Sequence, residues 1–236
     1  MSGNKDIKSV VINKAPKYSM IIVTDGVLHG NAQIQEELGQ KGVSLLVSKK
    51  AKATVDDTFE IIRKYIENET LLLPPAVVLS TGNHYTSRWG YFLEHPVAMG
   101  RERELENKVA DLVMEKIVKI EQFIKDRGGI LMVAPLIPRP ADQCYENCKG
   151  IPGRMQQLYS NLHLKVNDLI SELNQKNGLQ TPPINSYMEK SKVKQRTTRQ
   201  RKIWKKFYEA DLIYPIASKQ VKMMSTVEKA IKTVST

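Results

Sequence analysis

The fold is decided by one short stretch of the chain, SMIIVTDGVLHG, residues 19–30. An apolar run at 20–23 is followed directly by Thr24, Asp25 and Gly26. A short apolar run rich in branched side chains is typical of a strand buried on both faces of a parallel sheet. Ligands bind such sheets beyond the carboxyl ends of the strands, so we expect Asp25 and Gly26 to lie at the mouth of a crevice.

Further short apolar runs follow, separated by longer amphipathic segments. We predict strands in VSLLVS (43–48), PPAVVLSTGNHY (74–85) and GILMVAP (129–135), with a weak fifth strand in PPINSYMEK (182–190). Short strands that alternate with helices form parallel βαβ crossovers. The sequence therefore predicts a three-layer α/β/α sandwich around a central parallel sheet of about five strands, a flavodoxin-like arrangement.

Helical periodicity marks the segments between these runs. Thr54 is a candidate N-cap for a helix over 54–69, and a long helix over 103–127 is stopped by Gly128 and Gly129. Further helices are predicted over 155–178 and 221–234. The apolar stripe of the long helix comprises Leu105, Val109, Leu112, Val113, Ile117, Ile120 and Ile124.

Length and composition predict one domain at 18–236, preceded by a polar lead-in arm at 1–17. No apolar run reaches the roughly 18 residues of a membrane span, and the first residues lack the apolar stretch of a signal peptide. We therefore expect a cytoplasmic protein with no membrane contact. The only cysteines, Cys144 and Cys148, match neither a zinc motif nor a disulfide framework, and no metal or other cofactor is predicted.

The positive charge of the chain is concentrated in one basic segment, residues 189–206. The formal net charge is +11, and the sequence of this segment, EKSKVKQRTTRQRKIWKK, contains nine basic residues and one acid. Clustered cations of this kind bind polyanions such as nucleic acids. Trp204, Phe207 and Tyr208 can stack on unpaired bases, although the core of a short helix is the role we favour for them.

The predicted nucleic-acid contacts are the cations of the basic segment and three that follow predicted strands. They are Lys190, Lys192, Lys194, Arg196, Arg199, Arg201, Lys202, Lys205, Lys206, Lys49, Lys50 and Arg88.

Short motifs resemble those of the SGNH (GDSL-like) hydrolases, in the order in which that family carries them. Thr24-Asp25-Gly26 stands where the family has Gly-Asp-Ser, and 48–51 stands where it has an oxyanion-binding glycine. Asn83 matches the asparagine of the third block, with His84 in place of an acid. In EADLIYPIAS (209–218), Asp211 matches the family's late aspartate and Tyr214 holds the histidine position.

The resemblance implies an SGNH-type fold whose hydrolytic machinery has been lost. Ester hydrolysis by this route needs a hydroxyl nucleophile and an imidazole base. Gly26 offers no hydroxyl, and the tyrosine at position 214 is a poor base at neutral pH because the ordinary pKa of tyrosine is about 10. We therefore predict a pseudoenzyme with degenerate positions Gly26, Asn83, Asp211 and Tyr214.

The alternative to a pseudoenzyme is an enzyme whose active site has been rebuilt from other residues. His29 and His84 lie close to predicted strand ends, and Ser48, Ser80 and Ser87 provide hydroxyls nearby. A displaced Ser/His pair would make the chain an esterase or acetyl-hydrolase. A second alternative is a protein-interaction scaffold whose basic segment meets an acidic partner or acts as a nuclear signal.

A hydrolase-like domain with lost catalytic residues and clustered cations is similar to the C-terminal RNA-binding domain of the germ-plasm protein Oskar. Esterase-like domains of retrotransposon proteins are a further resemblance. These similarities imply RNA, single-stranded or structured mRNA, as the partner, in a ribonucleoprotein or germ-plasm context. Cytoplasmic RNP granules, with nuclear access through the basic segment, are the expected location.

Overall fold

The structure is a computed structural model. It describes residues 17–26, 32–48, 50, 53–86, 91–95, 98–137 and 153–184, together with positions 222, 223, 225, 226 and 229. The described part contains four strands and five helices outside the last few positions. The strands are β1 (Tyr18–Thr24), β2 (Val43–Val47), β3 (Leu71–Ser80) and β4 (Ile130–Val133). The helices are α1 (Ala32–Gln40), α2 (Val55–Glu67), α3 (Tyr91–Glu94), α4 (Glu102–Lys125) and α5 (Gly153–Lys176).

The four strands form one parallel sheet in the order β2-β1-β3-β4. In register, Ile22 of β1 lies between Leu45 of β2 and Val78 of β3, and Val78 also pairs with Met132 of β4. The chain moves from β1 outward to β2 and then returns across β1 to β3. This reversal is the topological switch point, the place at which parallel sheets of this kind commonly bind ligands.

Helices cover both faces of the sheet, as the predicted three-layer sandwich requires. α2 packs on β1 and β3 and also against α4, which in turn packs against α5, so these three helices form one layer. α1 packs on β2. Because parallel crossovers are right-handed, the connection through α1, which runs in the opposite direction across the sheet, places α1 on the other face.

Burial of the strand side chains agrees with two covered faces. Ile21 and Val23 of β1 belong to the main core cluster beneath α2, α4 and α5, together with Leu79. Ile22 and Val78 point to the opposite face of the pleat and are also almost completely buried. A parallel strand buried on both sides reads as a continuous apolar run, which is why the run at 20–23 identifies the fold class.

The predicted helix boundaries are close to those observed. Thr54 is the N-cap of α2, and with Asp57 it forms a capping box in which each side chain accepts a hydrogen bond from the other residue's backbone N–H. Gly128 has a φ of +67° and follows α4, so it ends this helix in the left-handed conformation that glycine adopts without strain. Five members of the predicted α4 stripe are buried, and Leu105 and Leu112 are half-buried.

Three elements depart from the predictions. α3, a helix of a single turn, was not predicted. α1 was not predicted, because its surface is mainly polar: of its described side chains, only Leu38 is buried. The fifth strand at 182–190 is wrong over its described part, 182–184, which is not a strand. The prolines at 182 and 183 have no N–H to donate to a sheet ladder. The remainder of this predicted strand, the lead-in arm at 1–16 and most of the predicted helix at 221–234 lie outside the described residues.

The outer edge of β4 is hydrogen-bonded by side chains of α5. The Ala134 N–H donates to Leu79 O of β3, so the N–H and C=O of Val133 point away from the sheet. Asn174 Oδ1 accepts from Val133 N at 3.0 Å, and Asn174 Nδ2 donates to Val133 O at 2.7 Å. A primary amide therefore takes the place that a neighbouring strand would otherwise occupy at this position.

No helix in the described part of the chain is long and apolar enough to cross a membrane.

We predict that Asn174→Ala lowers the free energy of unfolding by about 3 kcal/mol, because it orphans a buried N–H and a buried C=O. Asn161→Ala, on the more exposed side of the same helix, is the matched control and should cost about 0.5 kcal/mol or less. Urea denaturation of both variants measures the difference. Equal losses would show that the edge bonds of β4 contribute no special stability.

Candidate functional site at the carboxyl end of the sheet

The ends of β1, β2 and β3 are tied together by backbone hydrogen bonds. The Asp25 N–H donates to Ser80 O at 3.0 Å, and the Ser48 N–H donates to Thr24 O at 3.0 Å. Parallel pairing thus continues by one residue beyond the strands and brings Asp25, Ser48 and the segment after Ser80 to one edge. This edge is the candidate site, at the switch point between β1 and β3.

Asp25 and Asn83 are joined across the switch point by three hydrogen bonds. Asp25 Oδ2 accepts from the backbone N–H of Asn83 at 3.0 Å and from Asn83 Nδ2 at 3.0 Å. Asp25 Oδ1 lies 3.2 Å from the same Nδ2. Asn83 is buried, and charge-assisted bonds of this kind are stronger than neutral ones. The pair therefore closes the loop after β3 onto the end of β1.

Two glycines shape the backbone on either side of this pair. Gly26 has a φ of +100° and Gly82 a φ of +109°, both in the region that disfavours other residues. A Cβ on Gly82 would also lie 3.2 Å from Leu136 Cδ2 and 3.3 Å from Val113 Cγ1. A Cβ on Gly26 would meet nothing closer than Ser48 O at 3.9 Å. At position 26, the positive φ disfavours a serine, whereas a Cβ would make only ordinary contact with the described residues.

The hydroxyl groups near this edge are engaged or buried. Thr24 Oγ1 accepts from the Gly26 N–H at 3.2 Å, and Thr81 Oγ1 accepts from Thr58 Oγ1 at 3.3 Å. Ser80 is 2% exposed, which keeps its hydroxyl away from any substrate in solvent. Ser48 is half-buried, and its Oγ accepts from the Lys50 N–H at 3.3 Å.

His84 follows Asn83 and turns into an aromatic cluster. Its ring lies edge-on to Tyr85 with 5.3 Å between ring centroids, and its carbonyl oxygen accepts from the Tyr91 N–H at 3.0 Å. Tyr85 is buried, and this burial raises the pKa of its phenol, so Tyr85 stays neutral over the physiological pH range. His84 thus contacts the core through the ring of Tyr85, which in turn lies against Tyr91.

Lys50 is the one predicted RNA contact that the described residues include. Its Nζ lies 2.9 Å from Asp57 Oδ1 at the start of α2, and its side chain is 64% exposed. Partial burial works against ionisation of Asp57, but hydrogen bonds from Thr54 and Lys50 outweigh it and hold the pKa of this carboxyl below its usual range. The charge of Lys50 is therefore shared with an internal carboxylate.

The other predicted site residues lie outside the described residues. Among the degenerate positions these are Asp211 and Tyr214, and among the cations all nine of the basic segment, Lys49 and Arg88. His29 and Ser87, considered for a rebuilt site, lie there too. In the described ranges, no group of three or more His, Cys, Asp and Glu side chains is arranged to hold a metal ion.

The fold is shared with solved structures of lipolytic enzymes. A lipase, Lip_vut3, from a goat rumen metagenome superposes with a TM-score of 0.57 at 11% identity, over 91% of this chain and 97% of that one. Phospholipase A1 from Streptomyces albidoflavus NA297 gives a TM-score of 0.53 at 12% identity, over 92% and 100%. A protein from Desulfitobacterium hafniense DCB-2, assigned to the G-D-S-L lipolytic family, gives 0.54 at 11%, over 90% and 99%.

The fold is SGNH-hydrolase-like. At these identities the likeness concerns the fold alone and does not extend to activity. A comparison with protein-family models finds no match, and a comparison with curated protein sequences finds none at a significant level.

The sequence motifs named Asp25 and Asn83, but not their bond to each other. The positive φ in this turn belongs to Gly82, and Asn83 contributes through its side chain. The sequence does contain information that could predict this pair. Asp25 follows β1 and Asn83 follows β3, and these two strands are neighbours in the sheet.

We predict that Asp25 and Asn83 are energetically coupled. Asn83→Ala should lower the free energy of unfolding by about 1.5–3 kcal/mol, the range for hydrogen bonds to a charged group. Asp25→Ala should cost a similar amount, and the double variant should cost clearly less than the sum of the two. Chemical denaturation of the four proteins measures the coupling, and strictly additive losses would contradict it.

Proposed function

We propose that this chain is a non-catalytic SGNH-like domain that binds RNA through its basic segment, residues 189–206. The observation that carries the proposal is a contrast between two parts of the chain: the polar groups at the ends of β1 and β3 bond to each other, whereas the sequence of the basic segment contains nine cations and one acid.

The candidate site supports the first part of the proposal, that the domain is non-catalytic. Gly26 holds the nucleophile position of the resemblance and has no side chain that could attack an ester. Asn83 matches the asparagine of the family's third block, and its Nδ2 donates to both carboxylate oxygens of Asp25. A donor directed to an internal carboxylate is poorly placed to stabilise developing negative charge on a substrate.

The distribution of charge supports the RNA-binding half. In the described helices, cations are commonly paired with acids on the same surface, as in Arg63–Glu60, Arg101–Glu104 and Lys119–Glu115. The basic segment offers one acid for nine cations, so internal pairing within it leaves a net +8. Such a segment gains affinity from phosphates by releasing condensed counterions.

The choice of RNA over DNA and the cellular setting follow from the resemblance to the C-terminal domain of Oskar. In that setting the partner is single-stranded or structured mRNA, and the location is a cytoplasmic ribonucleoprotein granule. Charge itself does not distinguish the two nucleic acids, because phosphate contacts are common to both.

We predict that Arg196→Gln, Arg199→Gln, Arg201→Gln and Lys202→Gln together raise the Kd for a single-stranded RNA by at least about tenfold at moderate salt. The slope of log Kobs against log salt should fall by about 2–3, since each lost phosphate contact removes about 0.7 on a single strand. Fluorescence anisotropy at several salt concentrations measures both quantities.

The matched control removes four charges from exposed helical positions, Lys64→Gln, Lys108→Gln, Lys119→Gln and Lys176→Gln. These should leave the affinity within about threefold of the unaltered protein. Equal losses in the two quadruple variants would show that only net charge matters, and RNA binding that is insensitive to salt would refute the electrostatic proposal.

We predict that the purified chain hydrolyses p-nitrophenyl acetate no faster than the same protein after heat denaturation. His84→Ala should leave this background rate unchanged, because no acyl transfer runs through that imidazole. An active SGNH hydrolase, assayed alongside, is the positive control. Hydrolysis above background that His84→Ala abolishes would establish the rebuilt esterase instead.

A further inference from the structure

The loop after β3 ends in a pair of stacked rings at the surface. Tyr91 and His95 lie one helical turn apart, with their ring centroids 4.1 Å apart and an interplanar angle of 6°. His95 Nδ1 is 3.0 Å from Tyr91 O, which fixes the orientation of the imidazole. We call these two rings the aromatic platform.

The inner ring of the platform is anchored in the core. Tyr91 contacts Tyr85 at 6.0 Å and Phe92 at 5.4 Å between centroids, and Phe92 contacts Tyr159 of α5 at 5.3 Å. Tyr85, Phe92 and Tyr159 are all at most 6% exposed. A chain of packed rings therefore holds the platform rigidly, and binding to it requires little ordering of side chains.

The outer ring of the platform is open to solvent. Tyr91 is half-buried and covers one face of the His95 ring, whereas His95 as a whole is exposed. The face of the imidazole that points away from Tyr91 is therefore available for a third flat group. A third ring can stack on this face in an offset parallel arrangement, which is one of the preferred geometries of aromatic pairs.

We propose that the aromatic platform stacks an unpaired base of the bound RNA on the outer face of His95. This inference rests on the proposed function and assigns a base contact to it, distinct from the phosphate contacts of the basic segment. A nucleobase fits the platform because every base has a flat π face of the size of these rings. A base within a duplex is already stacked on its neighbours, so the platform selects single strands.

The test compares His95→Ala with His95→Phe, using a single-stranded 12-nucleotide RNA and a duplex of the same sequence. His95→Ala should weaken single-strand binding about 5- to 100-fold, the loss expected for one stacked base. It should leave duplex binding and the salt slope unchanged, because phosphate contacts are retained. His95→Phe keeps a flat ring and should restore most of the single-strand affinity.

A second readout reports on stacking itself. A single-stranded RNA that carries 2-aminopurine should lose fluorescence on binding the unaltered protein and the His95→Phe variant, but not on binding His95→Ala. Thermal melting of each variant shows whether the fold is intact.

Failure of the platform and failure of RNA binding give different results. If His95→Ala binds single strands as tightly as the unaltered protein while the quadruple variant of the basic segment does not, the platform inference is wrong and the proposed function stands. Equal losses on single strand and duplex would also overturn the platform. If the folded chain binds neither RNA, the proposed function fails first.

Discussion

Pairing of β1 on both of its edges is the constraint on which the rest of this structure depends. Because β2 and β3 flank it and helices cover both faces, every side chain from Met20 to Thr24 is buried. No position from Met20 to Thr24 can carry a charged side chain without burying its charge. The first residue that can carry a charged side chain is Asp25, and the opposing chain reaches the same level at Ser80. Chemistry in this fold is thereby confined to the loops beyond the strands.

At that edge, the residues that resemble a hydrolase site hold the protein together. In an esterase of this fold, polar groups after β1 and β3 must remain available to a substrate. Here the carboxylate of Asp25 takes up the donors of Asn83, and two glycines with positive φ set the loops around them. These hydrogen bonds stabilise the junction between the end of β1 and the segment that follows β3.

Much of the fold could be predicted from the sequence because it depends on local patterns. Continuous apolar runs gave the strands, Thr54 gave the start of α2, and Gly128 gave the end of α4. α1 was not predicted because it is short, and of its described side chains only Leu38 is buried. The stacking of Tyr91 on His95 was not predicted either. Residues four positions apart can touch on a helix. However, α3 has only one turn, which is too short for a helical repeat of apolar residues to be seen in the sequence.

Side-chain hydrogen bonds from α5 also fix the position of this helix along the sheet. Asn167 binds the N–H and C=O of Leu136 in the same way that Asn174 binds those of Val133. Val133 ends β4, and Leu136 lies three residues beyond it. Seven helical residues rise about 10.5 Å and three residues of extended chain span about 10 Å, so the two spacings can match. A shift of α5 by one residue would break both sets of bonds at once. The two asparagines therefore set the position of α5 along the sheet through directional hydrogen bonds, whereas apolar contacts alone would fix this position less closely.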